Sequence, residues 1–204
     1  MREATPTRAA ALELADERKL MRQGYEFLDE KRTLLAAEIL RQLRLYEEAA
    51  AALGAAMRYA ARALAAAVER HGLDGVQVQP APAAPRLPPS TRSLFLGITT
   101  LAAGEAPPGR HPAPPASDPS PEAAACRAAF EESLSMADDI GARSGNLHRL
   151  AGEYRRTERR ARALEKVLLP EVEDAIKRVD EQLDTMEREE TIRIRWAHKS
   201  ATFG

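Results

Sequence analysis

Apolar residues recur at helical spacing over two long stretches, one toward each end of the chain. The first stretch runs from about Thr7 to His71 without a proline, and Thr5 or Thr7 can cap its start. Gly72, followed shortly by a second glycine, marks its end. At about 1.5 Å per residue, this helix is on the order of 95 Å long. A charged helix of that length needs a partner along most of its surface.

The second stretch runs from about Glu122 to Lys199, and Pro170 is expected to kink the helix there. Between the two stretches, residues 76–79 and 93–99 have strand-like composition and predict a short β-hairpin with a Pro- and Ala-rich loop. Residues 105–121 are rich in proline and predict a flexible connector. The predicted organisation is an N-terminal helix over 1–72, the hairpin and connector over 73–121, and a C-terminal helix over 122–204.

The apolar residues of both helices follow alternating three- and four-residue steps, which is typical of coiled coils. Consecutive four-residue steps interrupt this alternation near Leu35 and near Leu164. An antiparallel pairing in which partner numbers add up to 207 sets the two interruptions opposite each other. It places Leu43 against Leu164 and Leu28 against Val179. The predicted core consists of Leu28, Leu35, Ile39, Leu43, Leu53, Met57, Leu150, Tyr154, Leu164, Leu168, Val172 and Val179.

The predicted fold class is therefore mainly α: two very long helices form an antiparallel coiled coil, with a short β-hairpin and a Pro-rich loop between them. Composition agrees, because 4% aromatic and 30% charged residues suit solvent-exposed helices that each bury one stripe. Gly24 lies on the buried stripe. It either permits close helix approach or is an incidental helical glycine that costs about 1 kcal/mol.

Charge and composition argue against several functional classes. A formal net charge of −1 gives no basic field for nucleic acid. No apolar run approaches the roughly 20 residues of a membrane span. Cys126 is the one cysteine, and the four histidines are scattered, so no metal-ligand set or cofactor is expected. Neither a phosphate-binding Gly-rich loop nor a serine nucleophile elbow occurs in the sequence. The chain is not expected to be an enzyme.

Short residue runs in all three parts of the chain match one protein family in order. The C-terminal helix contains an apolar step before Pro170 and the run Leu183-Asp184-Thr185-Met186-Glu187-Arg188-Glu189. The other runs are Pro6-Thr7-Arg8, Leu12-Glu13-Leu14, Gly24, Phe27-Leu28, Lys31-Arg32 and Thr91-Arg92-Ser93-Leu94-Phe95-Leu96-Gly97-Ile98. Together they resemble the D subunit of V/A-type (vacuolar/archaeal-type) rotary ATPases. The acidic run Ala15-Asp16-Glu17 departs from that family, which is usually basic there, and suggests a divergent bacterial member.

The resemblance implies a non-catalytic rotor shaft that is cytoplasmic and is held at the inner membrane through its complex. Both chain ends would lie inside a ring of catalytic A and regulatory B subunits, and the hairpin would point toward the membrane. A small F subunit would clasp the coiled coil, and a funnel-shaped C/d-type subunit would link it to the membrane rotor. The expected contacts with the ring are Arg8, Leu12, Arg193, Arg195, Trp196 and Lys199.

Two alternatives remain open at this point. A helical hairpin could be a non-rotary adaptor or an export-apparatus stalk protein, which would bind coiled-coil clients without an ATPase ring. An enzyme with an unrecognised site in the middle part is disfavoured, because that part has few acid–base residues. The sequence leaves open the direction of any ATP-linked ion transport, the ion itself, the role of residues 105–121 and the surface that would bind an F subunit.

Overall fold

The structure, a computed structural model, describes residues 7–81, 91–102, 116 and 118–202. Helix α1 spans Arg8–Gln77, strand β1 spans Thr91–Phe95 and strand β2 spans Ile98–Ala102. Helix α2 spans Pro121–Ala163, a π-helical turn spans Leu164–Leu168, and helix α3 spans Leu169–Thr202. The predicted fold class is confirmed: the protein is mainly helical, with two long helical stretches and a two-stranded antiparallel hairpin between them.

Local capping chemistry sets the helix ends. The Thr7 hydroxyl accepts the Ala10 N–H at 3.1 Å and caps α1, which confirms one of the two predicted caps; the other, Thr5, lies outside the described residues. Gly72 adopts φ 70° and ψ 169° inside α1, a conformation that favours glycine, and a short helical segment follows it to Gln77. The Ser120 hydroxyl accepts the Ala123 N–H at 3.1 Å and caps α2. Pro121 follows at the first helical position, where no N–H is required.

The hairpin lies later in the chain than predicted. Residues 76–79, predicted as a strand, end α1 and form a turn, so this prediction is wrong. The predicted strand 93–99 contains the turn itself, because Leu96 and Gly97 both have positive φ, 48° and 85°. This pattern matches a two-residue turn whose twist suits an antiparallel hairpin. Phe95 pairs with Ile98 and Thr91 pairs with Ala102. Most of the connector predicted over 105–121 lies outside the described residues.

The chain divides into two compact units. The terminal unit contains described residues 7–33 and 155–202, and the hairpin unit contains residues within 34–154. In the terminal unit, Arg8 pairs with Glu187 and Arg22 pairs with Glu173, so α1 and α3 run antiparallel. In the hairpin unit, His71 lies against Ser120 and Tyr59 lies near Ala125, so α1 and α2 are antiparallel there too.

Buried positions in the hairpin unit form one uninterrupted heptad seam on each helix. On α1 the buried or half-buried positions recur in alternating steps of four and three at Leu35, Ile39, Gln42, Tyr46, Ala49, Leu53, Ala56, Ala60, Ala63 and Ala67. On α2 they recur at Glu122, Cys126, Ala129, Ser133, Met136, Ile140, Arg143, Leu147, Leu150 and Tyr154. This is coiled-coil spacing with many small residues. The buried Ser133 hydroxyl is satisfied by the Ala129 carbonyl at 2.9 Å.

In the terminal unit the seam contains one extra residue, which the π-helical turn absorbs. After Leu164, the equivalent buried position is Val172, which is eight residues later, whereas a heptad repeat would place it seven residues later. Between them, the Leu169 N–H donates to the Leu164 carbonyl, the five-residue bond of a π turn. Pro170 follows directly, and a proline there removes the N–H that an α-helical bond to Lys166 would need. The predicted irregularity at Leu164 and Pro170 therefore takes the form of a π turn within a continuous helical stretch.

Three predicted core residues are exposed. Leu43, Met57 and Leu168 have exposed fractions of 38%, 47% and 38%, so assigning them to the core was wrong. On α1 the seam uses Gln42 and Ala56, each one residue before the bulky residue that was predicted. Leu168 ends the π turn, which rotates it out of the seam. Of the other predicted core residues, Leu35, Leu150, Val172 and Val179 are buried, and Leu28, Ile39, Leu53, Tyr154 and Leu164 are half-buried.

The predicted helix register is also wrong. In the terminal unit a Cβ on Gly24 would lie 3.8 Å from Leu164 Cδ1, so Leu164 packs near Gly24. The predicted partner of Leu164 was Leu43, which lies 19 residues further along α1. The ion pairs of Arg8 and Arg22 have residue numbers that add up to 195. The predicted pairing of Leu28 with Val179 does not fit this register. In the hairpin unit Tyr59 lies near Glu122. This excludes the pairing of Met57 with Leu150, which follows from partner numbers that add up to 207. The predicted register set an interruption near Leu35 opposite the one near Leu164, but the seam of α1 has no interruption near Leu35.

Gly24→Ala is expected to stabilise the protein, because the added methyl group meets Leu164 at an ordinary contact distance. Replacing a helical glycine by alanine contributes about 1 kcal/mol through helix propensity. Thermal unfolding followed by circular dichroism measures the effect. The matched control Gly72→Ala is expected to lower the midpoint, since its φ is 70°. A lower midpoint for Gly24→Ala would show that close helix approach requires the glycine.

Cysteine cross-linking tests the register in a Cys126→Ser background. Gly24→Cys with Leu164→Cys is expected to form a disulfide on oxidation, because a Cβ at position 24 would lie 3.8 Å from the Leu164 side chain. Leu28→Cys with Val179→Cys is the matched pair for the rejected register and is expected to remain reduced. Non-reducing gel electrophoresis reads the outcome. The opposite pattern would restore the register in which partner numbers add up to 207.

Candidate interaction surfaces

Two ion pairs join α1 to α3 in the terminal unit. Arg8 Nη2 lies 2.7 Å from Glu187 Oε1, and Arg22 Nη2 lies 2.8 Å from Glu173 Oε1. Both pairs are largely exposed, and exposed pairs contribute about 0–1 kcal/mol each. Their main effect is therefore to select a helix register that places unlike charges together.

The C-terminal part of α3 extends past its partner helix. Glu187 faces Arg8, the first residue of α1, so residues 188–202 lie beyond the start of α1. All described side chains from Asp184 to Trp196 are exposed. Met186, Ile192, Ile194 and Trp196 are the large apolar residues among them, and Trp196 is 74% exposed. We call residues 188–202 the overhang; it presents apolar groups that nothing in the described chain covers.

The residues predicted to contact a ring lie at this end of the terminal unit. Leu12 is 69% exposed, and Arg193, Arg195 and Trp196 are exposed on the overhang. Arg193 lies 3.6 Å from Glu190. The guanidinium of Arg8 is paired with Glu187, which still leaves both side chains mostly exposed. The side chain of Lys199 is outside the described part of the structure, so its placement remains a prediction.

A hydrogen-bond network joins the two helix ends of the hairpin unit. His71 Nε2 lies 2.6 Å from Ser120 Oγ, and His71 Nδ1 lies 3.3 Å from Asp118 Oδ2. Gln79 Nε2 donates to the Asp118 carbonyl at 2.8 Å. Ser, His and Asp also occur together in nucleophilic catalysis. Here Ser120 caps α2 and the His71 side chain is 6% exposed, so the geometry gives these groups a structural role.

A second polar contact attaches the β-hairpin to α2. Asn146 Oδ1 accepts the Leu101 N–H at 2.8 Å, and Asn146 Nδ2 donates to the Leu101 carbonyl at 2.7 Å. Arg149 Nη2 also donates to Asn146 Oδ1, at 2.7 Å. Asn146 is 4% exposed and is buried in this contact. Asn146 was not identified from the sequence, because a contact between residues 45 positions apart leaves no local pattern.

An open groove lies beside the start of α2 in the hairpin unit. Its lining residues are small, aromatic or charged: Tyr59, Arg62, Ala63, Ala66, Pro121, Glu122 and Ala125. The Glu122 Oε2 atom is buried and has no hydrogen-bond partner in the described structure. The small alanine side chains on α1 are what leave this space open.

Among the described residues, three titratable groups have pKa values shifted by their surroundings: the ion-paired Glu38 and Arg41, whose pKa is raised by Glu38, and Cys126. Arg41 holds the pKa of the Glu38 carboxyl below its ordinary value through two hydrogen bonds, at 2.7 and 2.8 Å. Burial opposes this shift, and the Gln42 amide, which donates to Glu38 at 2.8 Å, adds to it. This satisfies the buried Gln42 on the seam of α1. Burial raises the pKa of the Cys126 thiol, which makes that cysteine a poor nucleophile at neutral pH.

The part of the chain that the structure describes holds no group of three or more His, Cys, Asp or Glu side chains placed to bind a metal ion. Within the same residues, none of the helices is both long enough and apolar enough to cross a bilayer.

These features define a coiled-coil protein whose surfaces are suited to binding other macromolecules. It has paired long helices, a β-hairpin held against α2 and an exposed overhang. The family of ATP synthase D subunits matches residues 10–199. The chain is 32% identical over 204 residues to the V-type ATP synthase D subunit of Anaeromyxobacter dehalogenans (strain 2CP-C), covering 96% of this chain and 95% of that protein.

Similarity extends to more distant relatives. The V-type ATP synthase D subunit of Thermotoga neapolitana is 26% identical over 193 residues, which cover 93% of this chain and 94% of that protein. The A-type ATP synthase D subunit of Pyrococcus horikoshii is 39% identical over 66 residues, which cover 32% of this chain and 31% of that protein. The chain belongs to the ATP synthase D-subunit family, the central-stalk subunits of V/A-type ATPases, which confirms the resemblance seen in the sequence.

Replacing Glu38 by glutamine is expected to reduce the pH dependence of stability on the acid side. The folded pKa of Glu38 lies below its ordinary value of 4.5, so its carboxylate stabilises the fold above that pH. This contribution is lost as pH falls through the folded pKa. We expect less than about 1 kcal/mol, because the partner Arg41 is mostly exposed to solvent. Urea unfolding between pH 3 and 7, with about half-unit steps, measures it.

The variant Arg41→Gln is the matched control, because it removes the main cause of the shift and leaves the Glu38 carboxylate in place. Both variants should lose the same acid-sensitive part of the unfolding free energy. Identical pH profiles for Glu38→Gln and the unmodified protein would contradict the assignment.

Proposed function

We propose that this chain is the central-stalk rotor shaft of a V/A-type rotary ATPase, transmitting torque between the catalytic A/B ring and the membrane ion-translocating rotor. The family match over residues 10–199 carries the proposal. Antiparallel helix pairing in each unit supports it, because two interlocked helices resist bending and twisting better than a single helix. The chain contributes mechanical coupling and leaves ATP hydrolysis or synthesis to other subunits.

The ring-facing end of the shaft is the end that carries the overhang. Arg8, Leu12, Arg193, Arg195, Trp196 and Lys199 are the proposed bearing contacts. Exposed Leu12 and Trp196 offer apolar area, and the arginines offer hydrogen bonds to backbone or carboxylate groups of the ring. Trp and Arg are the residue types that contribute most at protein interfaces. Apolar groups that would be costly to leave in water thus gain a partner in the ring.

The proposed mechanism is a population shift. A shaft that is not symmetric about its axis makes the catalytic interfaces of the ring unequal at each angle. Each angle then favours the tight state of one interface, and binding at that interface favours that angle in return. The π turn before Pro170 interrupts the regular surface of the α2–α3 helical stretch and is one source of asymmetry. Pro170 remains the proposed site of a kink.

The remaining proposed partners follow from the family. A small F subunit clasps the coiled coil, and a funnel-shaped C/d-type subunit links the hairpin end to the membrane rotor. The chain is then cytoplasmic and peripheral on the inner membrane through its complex, without membrane insertion of its own and without nucleic acid. Other subunits determine the direction of the ATP reaction and the choice of H⁺ or Na⁺.

Co-purification with the A and B subunits from the same cell tests the proposal. One copy of the chain per ring is expected, with ATP turnover of the ring dependent on it and no turnover by the chain alone. Failure of the folded, helical chain to join the ring would favour a non-rotary adaptor. ATP hydrolysis that stays with the isolated chain through stringent purification would also contradict the proposal.

The overhang variant Ile192→Ser/Trp196→Ala is expected to bind the A/B ring at least tenfold more weakly, because it removes exposed apolar area from the proposed bearing. A tenfold change corresponds to about 1.4 kcal/mol, which is modest for loss of an interfacial tryptophan. Leu73→Ala is the matched control, because Leu73 is also exposed and lies in the hairpin unit. An equal loss of ring affinity in both variants, or no loss in either, would show that the overhang is not part of the contact with the ring.

A further inference from the structure

The β-hairpin is too small to hold its own position. It contains two five-residue strands, and an isolated two-stranded hairpin is marginally stable in water. Thr91 to Leu94 are all exposed, and Leu94 has an exposed fraction of 75%. Only Thr100 is buried among the twelve residues 91–102. The direction in which the hairpin points therefore depends on specific contacts with the helix beneath it.

Asn146 supplies such a contact by acting as a neighbouring strand for one residue. Its amide accepts the Leu101 N–H and donates to the Leu101 carbonyl, at 2.8 and 2.7 Å. These are the two backbone groups that an adjacent strand would pair. A carboxamide can make both bonds at once, since it has an acceptor and a donor side by side. Asn146 therefore closes the outer edge of β2 at Leu101.

The contact is both buried and held in place. Asn146 is 4% exposed, and Arg149 donates to the same Oδ1 atom that receives the Leu101 N–H. Arg149 thus fixes which end of the amide faces the N–H. Beside it, Thr100 is 7% exposed and its hydroxyl lies 2.6 Å from that of Ser93 on β1. Little apolar area is buried under the hairpin, so the directional bonds of Asn146 determine its orientation.

We propose that Asn146 is a positioning residue that locks the β-hairpin onto α2 and makes the hairpin a rigid arm that turns with that helix. The consequence for torque rests on the proposed function: a partner that touches the exposed Leu94 side of the hairpin follows the rotation of α2 directly. A hairpin joined only through its flanking segments would transmit that rotation with slack.

Hydrogen–deuterium exchange of the full-length chain tests the lock without any partner. Asn146→Ala removes both bonds to Leu101, and amide exchange over residues 91–102 is expected to accelerate at least tenfold. Asn146→Asp is nearly the same size; it keeps the acceptor for the N–H but loses the donor for the carbonyl. Its exchange rate should fall between those of the unmodified chain and Asn146→Ala. A residue that only filled space would not give this graded response.

Leu147→Ala is the matched control, because Leu147 lies next in sequence and faces the helix seam. It is expected to lower the thermal midpoint. Amide exchange over residues 91–102 that occurs by local opening, without global unfolding, should remain unchanged. Circular dichroism checks that each variant is helical, and the isosteric Asn146→Asp decides the question if Asn146→Ala is unfolded. Hairpin exchange that is unchanged in Asn146→Asp, or equally accelerated in Leu147→Ala, would overturn the proposal.

A second experiment separates this inference from the proposed function. The Asn146→Asp chain is expected to bind the A/B ring as tightly as the unmodified chain does. In the complete membrane-bound complex, ATP-driven ion transport is expected to be reduced relative to ATP turnover. Unreduced transport per ATP would overturn the role of the lock in coupling. If the unmodified chain fails to join the ring, the proposed function fails while the exchange result still tests the lock.

Discussion

Burial of a heptad seam between antiparallel helices is the interaction on which the rest of this protein depends. Neither helical stretch buries enough apolar surface alone, and most helical stability in proteins comes from such packing. In the hairpin unit the seam is built from small residues, above all the alanines from Ala49 to Ala67 on α1, which favour close packing. Polar members such as Gln42 and Ser133 are tolerated because each finds a hydrogen-bond partner nearby.

The seam also determines where the molecule can interact with others. In the terminal unit α3 continues past the start of α1, and its apolar Ile192 and Trp196 are left uncovered. In the hairpin unit the buried face of α2 leaves Asn146 on the flank, where it can hold the hairpin. The π turn at Leu164–Leu168 lets the seam resume after one extra residue without breaking the helix. Packing and exposed surfaces thus arise from one pattern of burial.

The sequence predicted the family and several features set by local chemistry, although residues 76–79, predicted as a strand, end α1 and form a turn. Thr7 caps α1 and Gly72 interrupts it, and the irregularity near Leu164 is real. Errors arose where burial depends on a partner. Leu43 and Met57 looked like core residues because they are large, whereas the seam passes through Gln42 and Ala56. The helix register and the contact of Asn146 with Leu101 join distant residues, so no local spacing reveals them.

The central claim is that this chain rotates inside a catalytic ring, and single-molecule rotation tests it most directly. A cysteine replacing the exposed Leu94 can carry a bead selectively, because the buried thiol of Cys126 reacts slowly at neutral pH. With the A/B ring fixed to a surface and ATP supplied, the account predicts unidirectional rotation of the bead in three steps per turn. A bead that shows only random motion on an assembled ring that hydrolyses ATP would contradict the account.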